Sequence, residues 1–321
     1  MIIIQNKNTY PYFNIAAEEY LLKNYYEDIF LLYQNDPSII IGKHQNVVKE
    51  INQKYVYEKS LPVIRRLTGG GTVYHDLGNI NFTFILNGEK GKLIDFKKYT
   101  RPIVDFLQKI EINAVLGERN NIFIDGYKIS GNAEHIFKNR VLHHGTLLFN
   151  TNLDNLAKSI DTQYSNYIDK SVNSIRSKVT NIENYLKNKI EIGEFSEMLI
   201  QSIKNKYNCK TYKLDKTEIE TIQNLIKSKY SKWEWNYGYS PEYTLKKSIE
   251  MNSNYLNITI HVKKGIIKIV KINGNLIPEN IIENINKLCI GIKHDYSEIF
   301  HIFSNLDIEK QLLDIILDNM F

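Results

Sequence analysis

Residues 65–79, which read RRLTGGGTVYHDLGN, restrict the possible folds of this chain more than any other segment. Two arginines precede three consecutive glycines, and a short alternating run and an Asp-Leu-Gly-Asn turn follow them. Residues 69–71 have no Cβ and can adopt positive φ, so their backbone N–H groups can approach an anion closely. Arg65 and Arg66 add permanently charged donors that suit phosphate or carboxylate. The segment therefore predicts an anion-binding turn that leads into a strand.

A tight turn between two strands is the alternative explanation of a glycine triplet. No Gly-Lys-Ser/Thr follows the glycines, which excludes a P-loop, and their spacing is not that of the dinucleotide-binding fingerprint. The preceding arginines and the following His75-Asp76 pair favour the anion site over a simple turn. From the residue types alone, both interpretations remain open.

The length and the charge of the chain limit its class. With 321 residues, the chain can form one large core and a smaller domain. Residues 246–321 contain 9 lysines and 9 acidic residues, so the net charge of +5 lies entirely in residues 1–245. This modest excess suits anionic ligands or an acidic protein partner, and it is too weak to indicate nucleic-acid binding.

The cysteines and the apolar runs indicate the cellular compartment. Cys209 and Cys289 are 80 positions apart without the spacing of a metal site, which is typical of a reducing compartment. The N-terminus has no basic region before a long apolar run, so no signal peptide is predicted. No apolar stretch approaches the roughly 18 residues of a membrane span. We therefore expect a cytoplasmic protein without a membrane partner.

Hydrophobic periodicity predicts strands and helices that are mixed along the first 245 residues. The predicted strands are residues 2–4, 29–33, 38–41, 63–66, 72–75, 80–86, 114–116, 122–124 and 141–149. Helices are predicted after Asn14 as N-cap, over residues 95–109, from about residue 153, and over residues 196–207 and 217–229. Residues 161–178 are irregular, and either a loop over the site or a surface connection explains them.

The pattern restarts after Leu245. Residues 256–262 and 266–272 alternate as strands around a Lys-Lys-Gly hairpin turn, and helices are predicted from Pro278 and over residues 307–320. This is a small α+β unit. The sequence therefore predicts two domains, residues 1–245 and residues 246–321.

Five segments, in the same order, resemble the lipoate–protein ligase A family of the lipoyl/biotin protein ligase superfamily. They are residues 65–79, 117–133 (GERNNIFIDGYKISGNA), 142–150 (LHHGTLLFN), 174–181 (SIRSKVTN) and 233–243 (WEWNYGYSPEY). The resemblance implies an α/β fold of the α+β type. This fold has a biotin/lipoate ligase-like catalytic domain with mixed β-sheets flanked by helices, and a small α+β C-terminal accessory domain.

The resemblance also implies an ATP-dependent ligase that needs Mg²⁺. Such an enzyme activates lipoate to lipoyl-AMP and transfers the lipoyl group to the ε-amine of an acceptor lysine. The implied acceptors are lipoyl domains of 2-oxoacid dehydrogenase complexes, on their acyltransferase subunits, or the glycine-cleavage H protein. Fixed positive charge suits this chemistry, because it offsets the repulsion between a carboxylate and a triphosphate.

The family pattern assigns roles to individual residues. Lys128 is implied as the catalytic residue, whose ammonium bridges the lipoyl carbonyl and the α-phosphate. ATP and adenylate binding are implied for Arg66, Gly70, Gly71, Thr72, Val73, Tyr74 and Lys128. Lipoate binding is implied for Lys128, Gly71, Val73, His75 and His144.

Several of these positions have a second explanation. His75 either contacts the ligand or satisfies Asp76 in the turn, and scaffolding is the favoured role of His143 and His144. Val73, Ile41 and Phe84 are candidates for an apolar slot that holds the lipoyl tail, although core packing explains each of them as well.

One position departs from the family pattern. Where many relatives read Arg-Asn-Asp, this chain reads Arg119-Asn120-Asn121, and the family Asp lies near the Mg-bound phosphate. Asn121 can offer an oxygen to a hydrated Mg²⁺ but no charge. A metal role for Asn121, and with it efficient activation by ATP, is left open.

Three other functions are compatible with parts of the pattern. A transferase that uses preformed lipoyl-AMP is possible in view of Asn121. An octanoyl or lipoyl transferase between proteins often needs a nucleophilic cysteine, and neither Cys209 nor Cys289 falls in a matched segment. A non-catalytic lipoyl-binding protein would not need both Lys128 and Arg66.

Overall fold

The computed structural model describes residues 1–88, 95–117, 121–160, 166–306 and 308–321. The strands are β1 (Ile2–Asn6), β2 (Ile29–Tyr33), β3 (Ser38–Ile41), β4 (Val63–Arg65), β5 (Val73–His75), β6 (Asn79–Asn87), β7 (Ala114–Leu116), β8 (Ile122–Ile124), β9 (Tyr127–Ser130), β10 (Asn132–Phe137), β11 (Arg140–Leu148), β12 (Tyr167–Asp169), β13 (Lys210–Thr211), β14 (Tyr243–Met251), β15 (Asn254–Lys263) and β16 (Ile266–Gly274). The helices are α1 (Pro11–Asn24), α2 (Val47–Glu50), α3 (Gln53–Glu58), α4 (Phe96–Lys109), α5 (Leu153–Ser159), α6 (Ile192–Lys206), α7 (Lys216–Leu225), α8 (Trp233–Asn236), α9 (Glu279–Leu288), α10 (Tyr296–Phe303) and α11 (Lys310–Asn319). In these ranges, no helix has the length and apolar character that crossing a membrane requires.

A six-stranded mixed sheet forms the centre of the larger unit. Its strand order is β10-β11-β6-β2-β1-β13, with β1 parallel to β2 and β13 and the other pairs antiparallel. β6 is buried at every position except its last, because helices and loops cover both faces. The predicted α+β class, with mixed sheets flanked by helices, is confirmed.

A three-stranded sheet carries the glycine turn. Its order is β4-β3-β5, with β3 parallel to β4 and antiparallel to β5. The strands predicted before and after the glycines therefore exist, but β3 lies between them. The turn crosses the end of β3 and comes next to residues 42–46, which follow that strand.

A second three-stranded sheet carries Lys128. β7, β8 and β9 form an antiparallel meander, and Lys128 lies on β9. The backbone of Lys128 also forms a bridge with Val179, and its N–H donates to the carbonyl oxygen of Lys178 at 2.8 Å. The lysine backbone is thus fixed from both sides.

The predicted N-cap of α1 was wrong. The helix begins at Pro11 after Tyr10, because the fixed φ of proline suits the first helical turn. Asn14 lies inside the helix and is buried. Its amide donates to the carbonyl oxygen of Asn8 at 2.8 Å and to Oδ1 of Asn35 at 2.8 Å. This asparagine therefore holds the loop after β2 rather than the helix end.

The C-terminal part contains a four-stranded antiparallel sheet in the order β12-β14-β15-β16, packed with α9, α10 and α11. The predicted division after Leu245 falls inside β14, which begins at Tyr243. β12 joins this sheet from the preceding part of the chain, and Val48 and Tyr167 belong to its apolar core. The division into residues 1–245 and 246–321 stays a prediction.

Candidate active site

A cavity of about 430 Å³ lies between the glycine turn and the strands β9 to β11. One side is formed by the turn and β5, another by β9, β10 and β11, and a third by residues 172–177, here called the strap. The residues that line it are Ile15, Tyr33, Ile40, Arg66, Gly70, Gly71, Thr72, Val73, His75, Asn81, Asn121, Phe123, Lys128, Gly131, Asn132, Ala133, His144, Gly145, Thr146, Val172, Asn173, Ser174, Ile175 and Ser177.

The lining combines positive charge with apolar surface. Arg66 and Lys128 are the basic residues, and none of the lining residues in the described part of the chain is Asp or Glu. The apolar side chains of the lining are Ile15, Ile40, Val73, Phe123, Ala133, Val172 and Ile175. A ligand with an anionic end and an apolar tail fits this combination.

Arg66 holds the glycine turn from the cavity side. Its guanidinium donates to the carbonyl oxygens of Gly69 at 2.6 Å and Gly71 at 2.7 Å, and also to the carbonyl of Ile40 at 3.0 Å. Gly70 has a φ of +83°, a conformation that glycine adopts without strain. Burial lowers the pKa of Arg66 to about 10, so the side chain keeps its charge at neutral pH.

Arg65 does not contribute to the cavity, so its prediction as an anion donor was wrong. The side chain is fully buried, and it donates to the carbonyl oxygens of Gly42, Lys43, Gln45, Trp235 and Asn236 and to Oγ of Ser240. Its donors are thus used by the backbone of two distant loops. The reason is the alternation of β4 and the residue after it, which directs successive side chains to opposite sides.

Lys128 reaches the cavity from β9. An added Cβ at Gly131 would lie 3.2 Å from its Nζ, so glycine leaves the space that the ammonium occupies. Burial lowers the pKa of Lys128, and the charge of Arg66 lowers it further. An anion bound beside Lys128 would therefore favour its charged form, because it offsets both burial and the neighbouring positive charge.

His75 has a free donor at the cavity. Nδ2 of Asn35 donates to its Nδ1 at 3.0 Å, and Asn35 keeps this orientation because its Oδ1 accepts from Asn14. Nε2 therefore carries the hydrogen, and within the described ranges it has no partner. Burial, followed by the charge of Arg66, lowers the pKa of His75 to about 3, so the ring is neutral.

His144 lines the cavity and is held on both sides, so lipoate binding and scaffolding both stay predictions. Its Nδ1 lies 2.9 Å from Oε2 of Glu18, and its Nε2 lies 2.8 Å from Oγ1 of Thr68. Asp76, the other partner considered for His75, instead accepts from the backbone N–H groups of Gly78 and Asn152.

The strap lies within residues 161–178, for which the sequence left open a loop over the site or a surface connection, and residues 172–175 and 177 line the cavity. Oγ of Ser174 accepts the N–H of Thr72 at 2.9 Å and the amide of Gln45 at 3.0 Å, and it donates to Glu50. A Cβ at Gly71 would come within 3.0 Å of the same Oγ, so this glycine permits the close approach. Residues 161–165 of the same range lie outside the described residues, and Ser174 itself was distinguished in the sequence only as the first residue of a family segment.

Three of the predicted side chains point away from the cavity. Tyr74 and Ile41 belong to a separate buried cluster, and Phe84 belongs to the central core. Ile41 and Phe84 were therefore wrong as parts of an apolar slot, and Ile40 and Phe123 line the cavity instead. Strand alternation explains the difference, since neighbours on a strand face opposite sides.

Asn121 lines the cavity, and its Oδ1 lies 3.9 Å from the position of a Cβ at Gly131. Across the described residues, no group of three His, Cys, Asp or Glu side chains is arranged to hold a metal ion. The preceding Arg119 and Asn120 lie outside the described residues. The amide oxygen of Asn121 and the ammonium of Lys128 thus both lie close to Gly131.

Comparisons with known proteins give the family that the chain resembles and the extent of the resemblance. The family model "Lipoyl protein ligase A/B catalytic domain" matches residues 10–204, and "Bacterial lipoate protein ligase C-terminus" matches residues 240–321. Lipoate–protein ligase 1 of Staphylococcus aureus is 38% identical over 98% of this chain and 97% of its own length. Lipoate-protein ligase LplJ of Bacillus subtilis is 38% identical over 96% of this chain and 95% of its own length. The P. falciparum LipL1 structure in complex with lipoate is 28% identical, covers 98% of each chain and has a TM-score of 0.62.

Proposed function

The chain belongs to the lipoate–protein ligase family, and from this premise we propose that it activates lipoate with ATP and then lipoylates a protein lysine. In the first step a lipoate carboxylate oxygen attacks the α-phosphorus of ATP, which forms lipoyl-AMP and releases pyrophosphate. In the second step the acceptor ε-amine attacks the lipoyl carbonyl. The carbonyl–oxygen bond breaks, AMP leaves and the amine loses a proton.

The observation that carries this proposal is a cavity whose described lining contains Arg66 and Lys128 but no Asp or Glu. Joining a carboxylate to a triphosphate brings like charges together, and Arg66 and Lys128 offset their repulsion. The apolar side chains of the same cavity suit the hydrocarbon tail of lipoate. Roughly 430 Å³ lies within the range of small-molecule sites.

Lys128 is proposed as the catalytic residue. Its flexible ammonium can follow one oxygen from carboxylate to mixed anhydride and to the tetrahedral intermediate of transfer. The glycine turn, Thr72 and Val73 are proposed to bind the adenylate, together with Arg66, whose guanidinium fixes the turn. His75 offers its Nε2–H as a neutral donor to a ligand oxygen. Tyr74 is proposed to take part only through its backbone, because its ring is buried elsewhere.

The cofactors and the partners follow from the same chemistry. Asn121 would offer its amide oxygen to Mg²⁺, which would neutralise phosphate charge when bound together with ATP. The proposed acceptors are lipoyl domains of 2-oxoacid dehydrogenases or the glycine-cleavage H protein. Two unpaired thiols are compatible with the proposed reducing, cytoplasmic setting.

Mass spectrometry of a lipoyl domain incubated with the protein, ATP, Mg²⁺ and lipoate tests the proposal. We expect a lipoyl mass increase that requires all three small molecules. Lys128→Ala is expected to lower adenylate formation by at least ~100-fold, the effect of losing one well-placed electrostatic donor. Lys158→Ala, which removes an exposed lysine of α5, serves as the matched control.

Exchange and lipoylation measurements also distinguish the ligase from a transferase that uses preformed lipoyl-AMP. Lipoylation with preformed lipoyl-AMP, but no ATP–pyrophosphate exchange, would identify a transferase and would indicate that uncharged Asn121 does not support activation. Activity of Lys128→Ala within about threefold of wild type would contradict the catalytic assignment.

A further inference from the structure

A line of three polar side chains crosses the face shared by β10 and β11 and ends at the cavity. Glu134 lies directly opposite His143, and its Oε1 is 2.9 Å from Nδ1 of the ring. Nε2 of the same ring is 3.3 Å from Oδ1 of Asn132. Asn132 lines the cavity in the same segment as Lys128. The line thus connects a carboxyl group outside the cavity with an amide inside it.

The ring of His143 is buried in an aromatic environment. It stacks on Tyr99 at a centroid distance of 5.0 Å and on Phe82 at 6.2 Å, and Phe96 meets it edge-on. Burial, followed by the charge of His144, lowers the pKa of His143 to about 3. The ring is therefore neutral at physiological pH, and it has one donor and one acceptor nitrogen.

The direction of the hydrogen bonds follows from the oxygen atoms at both ends. If Nε2–H donates to Oδ1 of Asn132, Nδ1 is the acceptor and Glu134 must supply a proton to it. Oε2 of Glu134 is buried and has no partner among the described residues, which is much less costly for a neutral carboxyl than for a carboxylate. When Glu134 is protonated, both hydrogen bonds of the line, from Glu134 to His143 and from His143 to Asn132, have one donor and one acceptor.

We propose that protonated Glu134 is a positioning residue that fixes the Asn132 amide at the cavity through His143. The inference rests on the proposed function, because it concerns the same cavity. Asn132 is held with Oδ1 toward the ring and Nδ2 toward Oγ of Ser130, at 3.2 Å. Asn132 and Lys128 line the same cavity, so a fixed amide keeps this part of the cavity wall in place around a bound acyl or phosphate group.

Gly145 gives independent support for a fixed amide. It lies opposite Asn132 in the sheet, and a Cβ there would come within 2.2 Å of Oδ1 of Asn132. The space that any other residue would fill is thus occupied by this amide. The glycine of the LHHGTLLFN segment is explained by this close approach.

The proposal predicts a dependence on pH. Asp95 lies near Glu134 from the α4 side, together with Tyr99, while β11 presents His143 and His144. Lys43, His44 and His135 border the adjoining surface cleft that Glu134 also lines. Burial and the charge of Asp95 raise the pKa of Glu134 to about 7. Above that pH the Glu134 carboxylate accepts a hydrogen bond from Nδ1–H of His143. Since the neutral ring carries one hydrogen, its Nε2 is then without one and no longer donates to Oδ1 of Asn132.

Glu134→Gln tests the proposal, because its amide N–H donates to Nδ1 at every pH. ATP–pyrophosphate exchange is measured from pH 6 to pH 8.5 as the ratio of variant to wild type, which cancels other titrations. We expect a ratio near one at pH 6 that rises about fivefold by pH 8.5. Glu134→Ala and Asn132→Ala are each expected to lower exchange about tenfold. Glu197→Gln, which changes an exposed glutamate of α6, is the matched control.

The ¹⁵N shifts of His143 provide a readout that does not need activity. Wild type at pH 6 and Glu134→Gln at both pH values are expected to show Nε2–H, and wild type at pH 8.5 to show Nδ1–H. An Nδ1–H tautomer at pH 6, or a Glu134→Gln ratio that is low and constant with pH, would overturn the proposal. Wild type without exchange would instead refute the proposed function, and the shifts would still decide this inference.

Discussion

At the residue scale, the two neighbouring arginines have different roles. Arg65 uses its guanidinium to join the loop after β3 to the segment around Asn236, whereas Arg66 supports the glycine turn at the cavity. Their residue type predicts an affinity for anions in both cases. Only the direction of each side chain decides which one meets a ligand, and that direction depends on β3 lying between β4 and β5.

The thiols allow a test of the reaction class. Cys289 is fully buried in the C-terminal core, where burial raises its pKa to about 12, and burial also raises the pKa of half-buried Cys209. The thiolate is the nucleophile, so neither group suits acyl transfer. A Cys209→Ser, Cys289→Ala double variant should keep ligase activity within about twofold of wild type. Alanine is chosen at Cys289 because a serine hydroxyl would be buried without a partner.

Intact-protein mass spectrometry after incubation with lipoyl-AMP completes this test. No lipoyl thioester is expected on the wild-type chain. A thioester, together with loss of activity in the double variant, would move the chain to the transferases that use an acyl-enzyme.

Sequence reasoning identified the cavity residues that belong to glycine-rich or basic segments, such as Gly71 and Lys128. It missed Asn132 and Ser174, because nothing in their residue type or spacing distinguishes them from other polar residues of the chain. Asn132 acquires its place from a diagonal contact across β10 and β11, and Ser174 from a contact with Thr72, 102 positions away. Such contacts leave no periodic signal in the sequence.

At the scale of elements, the strap connects β12 with the cavity and is fastened at two points. Asp169 at the end of β12 accepts from Lys49 and Asn46, and Ser174 bonds to Glu50 and to the glycine turn. The short helix α2 supplies both Lys49 and Glu50. The strap therefore occupies the N–H of Thr72, a donor that the proposed adenylate needs.

Removal of the Ser174 hydroxyl should favour nucleotide binding. Ser174→Ala leaves the N–H of Thr72 unoccupied, and one hydrogen bond contributes a net free energy of about 1 kcal/mol. The affinity for a non-hydrolysable ATP analogue should therefore rise about fivefold, measured by titration calorimetry. Ser228→Ala, which changes an exposed serine that is not among the lining residues of the cavity, is the control. A weaker affinity in Ser174→Ala alone would mean that the serine binds the nucleotide instead.

The strands that the sequence predicted are those with clear alternation or a continuous apolar run, for example β2, β6 and β15. It missed β10, β12 and β13, and it predicted no strand across Leu245, where β14 lies. β12 and β13 have three and two residues, and their extended shape depends on partners far away in the chain. Short edge strands of this kind are set by tertiary pairing rather than by local propensity.

At the scale of the whole molecule, the C-terminal sheet and the larger unit are joined by shared structure. β12 pairs with β14, Tyr167 packs against Tyr243 at a ring distance of 5.8 Å, and Tyr57 of α3 packs against Tyr296 at 5.2 Å. Since β12 leads directly into the strap, displacement of the C-terminal sheet also displaces the cavity wall.

The shared core predicts that the two units unfold together. A chain with Cys209→Ser and Trp233→Phe retains one tryptophan, Trp235, in the larger unit and one thiol, Cys289, in the C-terminal core. Tryptophan fluorescence and the reactivity of the thiol then report on separate units during urea unfolding. We expect midpoints that agree within about 0.2 M, as for a two-state transition. The reason is that loss of the C-terminal sheet exposes Val48 and Tyr167 of the larger unit.

If Cys289 reacted at lower urea while Trp235 remained native, the C-terminal sheet would be an independent unit. Its movement would then not reach the strap through β12.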